Sequence, residues 1–149
     1  MSLEKDIIQS KFKNEYQKLA VNIIYTHGWL ISKHNEVFRK YDITAAQYNI
    51  LRILRGQKGN PASVSLLQER MLDKMSDTSR LVDRLKNKRL VDRVICPNDR
   101  RKVEVTITSQ GLELLLKIDE QEHLFEDALK NLTVEESETL NALLDKARE

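Results

Sequence analysis

Cysteine is nearly absent: Cys96 stands alone among 149 residues, so no disulfide can close within the chain. Proline and glycine are sparse too, at two and four residues. That excludes collagen-like and Gly/Pro-rich chains, disfavours turn-rich sandwiches and favours helices. No apolar run exceeds three residues, Leu114 to Leu116 being one, against the ~20 that a membrane helix needs. No N-terminal apolar segment marks secretion, so the expected location is the cytoplasm. Missing as well are a glycine-rich phosphate loop, a nucleophile elbow, paired metal-ligand spacings and a serine or cysteine set with a histidine. The expectation is therefore a chain that is not an enzyme and takes no cofactor or metal. At this length it can bury ~68–70% of its unfolded surface, and it needs neither metal nor disulfide to fold.

What the chain does have is charge, unevenly placed. Its 25 Lys and Arg nearly balance 23 Asp and Glu, for a formal net charge of +2. Residues 74–102, however, carry ten bases (Lys74, Arg80, Arg84, Lys86, Lys88, Arg89, Arg93, Arg100, Arg101, Lys102) against four acids. Residues 103–149 carry four bases against twelve acids. A basic middle beside an acidic tail marks a surface for polyanions and a region that repels them. Charge alone leaves a solvated helix face as the other reading.

The apolar spacing from Leu3 to Tyr41 is helical and reads as one long helix or two in line, with Gly28 a point of bending. Thr44-Ala45-Ala46-Gln47 is a capping box opening a second helix that ends near Gly56. Ser63 caps a short third helix, and Ser76 or Asp77 caps a fourth after a turn of about four residues. The period then changes to two: Val91 to Cys96 and Val103 to Ile107 read as strands flanking a charged turn, Pro97 to Lys102. Thr108 opens a long helix reaching Leu129, and Thr133-Val134-Glu135-Glu136 opens a last one. The fold class is mainly α with a small β component: a winged helix-turn-helix over residues 44–107, within a single domain 1–149. The helices of 1–41 and 109–149 carry apolar stripes beyond what the lobe can cover, so they are expected to interleave across a symmetric homodimer.

In a helix-turn-helix the second helix lies in the major groove, with its first turns toward the bases. That selects Ser76, Asp77, Ser79 and Arg80, with Arg84 one turn further on. Arg80 suits a bidentate contact to guanine. Asp77, a carboxylate that phosphates would repel, reads better as a helix cap. At the hairpin tip Arg100 or Arg101 suits a narrow minor groove, Lys102 adds charge, and Asp99 is expected to pair with a neighbouring arginine and aim the other outward.

These residues resemble the MarR-type winged-helix transcriptional regulators. The likeness runs through Ile43-Thr44-Ala45-Ala46-Gln47-Tyr48 with Leu51, Ser79-Arg80-Leu81-Val82-Asp83-Arg84-Leu85, Leu90-Val91-Asp92-Arg93, Asp99-Arg100-Arg101 and Thr106-Ile107-Thr108-Ser109-Gln110-Gly111, and spans about residues 10–147. It implies a homodimer on a pseudo-palindromic duplex DNA operator, fourth helices in major grooves and wings in minor grooves, regulated by a small ligand or an oxidant. The first helix lacks a cysteine, against the oxidant-sensing branch. Two positions depart from the pattern: Gln68 stands where alanine is common and Leu72 where a glycine commonly starts the turn.

Tyr25, His27 and Trp29 are candidates to line an effector pocket, although aromatic residues at helical spacing more often serve a core. His27 and His34 share a helix face, and His123 is isolated. Cys96 reads as a small buried residue rather than a sensor. The rival to a repressor is a winged-helix module whose basic face meets an acidic protein.

Overall fold

The computed structural model describes residues 2–149. A short helix α1 (Leu3–Asp6) precedes α2 (Glu15–Phe38), and a single 3-10 turn, Arg39–Tyr41, leads to α3 (Ala45–Gly56). Strand β1 (Ala62–Ser63) is followed by α4 (Val64–Arg70) and α5 (Thr78–Asn87). Then come β2 (Val91–Cys96), β3 (Asp99–Ile107), α6 (Ser109–Asp119), α7 (Glu122–Asp127) and α8 (Val134–Lys146).

Most helix starts lie where a short polar side chain can accept a first-turn N–H. Thr44 and Thr133 complete full capping boxes with Gln47 and Glu136, and Ser63, Asp77 and Thr108 cap α4, α5 and α6. The N-terminal stripe is not one helix. Ile8 sits in the left-handed region at φ 55° and Asn14 caps a new start by accepting from Gln17 N–H at 2.9 Å, so the break falls at 7–14 and not at Gly28. Across this break Glu4 meets Lys18 at 2.5 Å, a hydrogen bond that holds the Glu4 carboxyl down to about 2. The stripe after Thr108 is likewise divided, α6 ending at Asp119 and α7 starting at Glu122.

The sheet has three strands in the order β1-β3-β2, all antiparallel. The two-residue β1 pairs Ala62 with Val105 and Ser63 with Glu104, and it adds a strand that local periodicity misses. β3 begins at Asp99, so the charged residues expected in a turn belong to a strand, and only Pro97 and Asn98 form the turn itself.

One core joins helices and sheet: Phe38, Ile50, Leu51, Leu54, Leu67, Val82, Leu85, Val91, Val105, Leu115 and Ile118 are all at most 1% exposed. Each large aliphatic side chain so buried contributes ~1.5–3 kcal/mol of transfer free energy. Gly111 fixes how closely α6 approaches, because a Cβ there would lie 2.4 Å from the Leu90 carbonyl oxygen and 2.7 Å from Ile107 Cγ1. Arg55 of α3 adds a bidentate pair to Asp119 of α6, at 2.6 and 3.3 Å.

Candidate nucleic-acid interface

Helix α5 is amphipathic in the simplest way. Thr78, Val82 and Leu85 face the core, while Ser79, Arg80, Asp83 and Arg84 are exposed. Arg80 and Arg84 are four residues apart, so they stand one turn above the other on one face. Asp77 sits at the helix start and its carboxylate accepts the Arg80 backbone N–H at 3.1 Å, the capping role its charge suggests. Ser76 lies outside the helix, half-buried in the preceding turn. That turn is longer than expected: seven residues, 71–77, separate α4 from α5 rather than about four.

The wing presents the second basic group. One step along β2, from Ile95 to Cys96, matches four along β3, from Val103 back to Asp99. Arg100, Arg101 and Lys102 therefore have no counterpart on β2, and all three are exposed. A bulge of this kind re-aims side chains at a hairpin end. Asp99 does not pair with an arginine side chain. Its carboxylate accepts the backbone N–H of Arg101 at 3.0 Å, because a short acid at a turn reaches the main chain two residues on more readily than a guanidinium. It shapes the tip without neutralising it.

Of the ten basic residues of 74–102, two are tied into ion pairs and eight are not, among the described residues. Arg93 of β2 is held by Asp83 of α5, Nη1 to Oδ1 at 2.5 Å, which ties wing to helix; its Nε is buried without a partner among the described residues. Lys88 donates to the carboxylate of Asp42 at 2.8 Å and to the Asp42 carbonyl. Arg80, Arg84, Arg100, Arg101 and Lys102 make no ion pair among the described residues. Their charge is left for an external anion. The structural pairs at Arg93 and Lys88 join residues ten and 46 apart in sequence, so no local pattern could have separated them from the free group.

Other elements present less. Tyr25 and Trp29 lie one turn apart on α2 and are 39% and 38% exposed, but His27, two residues from each, faces another side of the helix. His34 instead packs edge-on against Phe125, with ring centroids 5.0 Å apart, and burial pulls its pKa below the ordinary histidine value. Cys96 is half-buried. Among the described residues no helix is long and apolar enough to cross a membrane, and no cluster of His, Cys, Asp or Glu could hold a metal ion.

Comparison with known proteins places these features. A family model described as MarR family matches residues 41–102. The HTH-type transcriptional regulator PecS of Dickeya dadantii is 31% identical, over 95% of this chain and 90% of its own. The multiple antibiotic resistance protein MarR of Escherichia coli is 34% identical, over 75% of this chain and 78% of its own. Among solved structures, a mutant MarR from E. coli complexed with operator DNA superposes with a TM-score of 0.80 at 30% identity, covering 93% of this chain and 99% of the other.

Proposed function

The chain belongs to the MarR family, whose relatives here are transcriptional regulators, and we propose that it binds a pseudo-palindromic DNA operator as a homodimer and represses transcription until a small molecule releases it. The observation that carries this reading is the separation of cations. Arg80 and Arg84 on α5 and Arg100, Arg101 and Lys102 on the wing stay unpaired, while their neighbours Arg93 and Lys88 are tied down. An exposed helix start carrying unpaired arginines suits the major groove, and a bulged basic tip suits the minor groove. In this reading Arg80 contacts base edges, Arg84 and Ser79 the adjoining backbone, and the wing residues the minor groove, with Asp77, Ser76 and Asp99 shaping the backbone that presents them.

Dimer formation is the second part of the reading. Tyr16, Ile24, Leu116 and Leu143 are 58–84% exposed along helices outside the compact lobe, and a second copy would cover them. A twofold dimer brings two copies of α5 to half-sites ~10 bp apart. Residues 1–41 and 109–149 would then be the dimerisation segments, and Tyr25 and Trp29 the aromatic pair nearest an effector.

Selection from a pool of random duplexes at about physiological salt tests the reading. Enrichment of an inverted repeat with that spacing is expected. Recovery of no enriched sequence, by protein freed of bound small molecules, would overturn it in favour of a basic face that meets an acidic protein.

A further inference from the structure

The turn between α4 and α5 contains no glycine, and none of its seven residues adopts a positive φ. Side chains hold it instead. Asn49 of α3 accepts the Leu72 N–H at 2.9 Å and Asp73 accepts the Met75 N–H at 2.9 Å. Each of these contacts fixes one point. Gln68, on α4, fixes two: its Nε2 donates to the Lys74 carbonyl at 3.0 Å and its Oε1 accepts the Thr78 hydroxyl. Thr78 is the first residue of α5 and only 2% exposed, so its hydroxyl has no ready access to water. A buried hydroxyl without a partner is unfavourable, which makes the Gln68 contact the natural resting place of that end of the helix.

A carboxamide offers a donor and an acceptor from one rigid, uncharged group. Glutamate would keep the Thr78 contact and face the Lys74 carbonyl with a second acceptor; alanine would lose both. The chemistry therefore matches the position. Thr78 lies two residues before Arg80, so whatever sets the start of α5 sets where the Arg80 guanidinium is aimed. We propose that Gln68 is a positioning residue for DNA reading: its carboxamide clamps the turn to the first residue of α5 and so fixes the register in which Arg80 meets the bases. This inference rests on the proposed function for its DNA part, and on the hydrogen bonds alone for the clamp.

Affinity for a selected duplex and for a scrambled duplex of equal length, at one salt concentration, separates positioning from general stability. Backbone amide exchange over residues 75–80, measured without DNA, reports the clamp directly. Gln68→Ala is expected to weaken the selected duplex at least tenfold, to change the scrambled one less than twofold, and to speed exchange over 75–80. Thr78→Val should behave alike, whereas Thr78→Ser, which keeps the hydroxyl, should retain discrimination. If Gln68→Ala fails to fold, Gln68→Glu, similar in size and lacking the donor, should show the same loss of discrimination. Parent-like discrimination in these variants, or equal loss on both duplexes, would overturn the proposal. If the parent itself does not discriminate, the DNA reading falls first, and unchanged exchange in Gln68→Ala then removes the clamp as well.

Discussion

The lobe of residues 44–107 and the outer helices α2 and α8 dispose of their apolar side chains in opposite ways. In the lobe, Leu51, Leu67, Val82, Leu85 and Val105 are at most 1% exposed. In α2 only Val37 and Phe38, at its very end, are buried, and α8 buries none of its residues. The lobe closes its core with Phe38, Leu115 and Ile118 from its flanks, while α2 and α8 carry apolar faces larger than a monomer usually leaves in water. The contrast teaches a division of labour. In the proposed reading the lobe aims cations at DNA, and the flanking helices bring two such lobes together.

The largest expected effect sharpens that contrast from the lobe side. Leu51→Ala should cost ~2–5 kcal/mol of stability in urea unfolding, because the cavity opens in a site that is fully enclosed. The flanking helices should answer differently. Ile24→Asp, at a residue 71% exposed, should leave the fold intact by circular dichroism yet shift sedimentation from dimer to monomer; an unchanged dimer would mean that another face joins the copies. Within the lobe, Arg80→Ala should weaken binding by ~1–3 kcal/mol and relax preference at one base position of each half-site, without altering the oligomer. At the wing, Arg101→Ala should weaken binding to all duplexes alike and lower the slope of log affinity against log salt by ~1.

The smallest effect lies where the two flanking segments meet. His34 of α2 lies against Phe125 of α7, and burial lowers its pKa in the folded protein below the 6.5 of an exposed histidine. Between those two values the unfolded chain binds more protons, so stability rises with pH there. The contribution is complete above pH 6.5 and is lost as pH falls through the depressed value. A melting temperature that drops from pH 7.5 to 5.5, and drops less in His34→Gln, is the expected result.

Legibility in the sequence followed the range of the interactions. The caps at Thr44, Ser63, Asp77, Thr108 and Thr133 each use an oxygen and an N–H three residues apart, so they could be read directly. The alternation of Val103, Val105 and Ile107 revealed a strand for the same reason. The break before Asn14 was masked because apolar spacing continues through Ile7, Ile8 and Phe12, and only the Asn14–Gln17 pair signals a new start. β1 depends on pairing with residues more than forty positions away, and two residues carry no period. At the candidate interface the residue types were legible, but not which cations are free, since Asp83 and Asp42 choose their partners in three dimensions. Gln68 stood out only as a departure from a familiar pattern. Its two hydrogen bonds give that departure a physical role.

Arginines of α5 and the wing that read DNA sequence, rather than merely attract it, give one duplex an advantage over another of equal charge. The most direct measurement compares the affinity of the unmodified protein for its selected inverted repeat and for a scrambled duplex of equal length, at ~0.15 M salt. A preference of ~10³ or more for the repeat is expected, with two chains bound per duplex. Equal affinity for the two duplexes, at the ~10⁻⁴–10⁻⁶ M expected of charge alone, would contradict it.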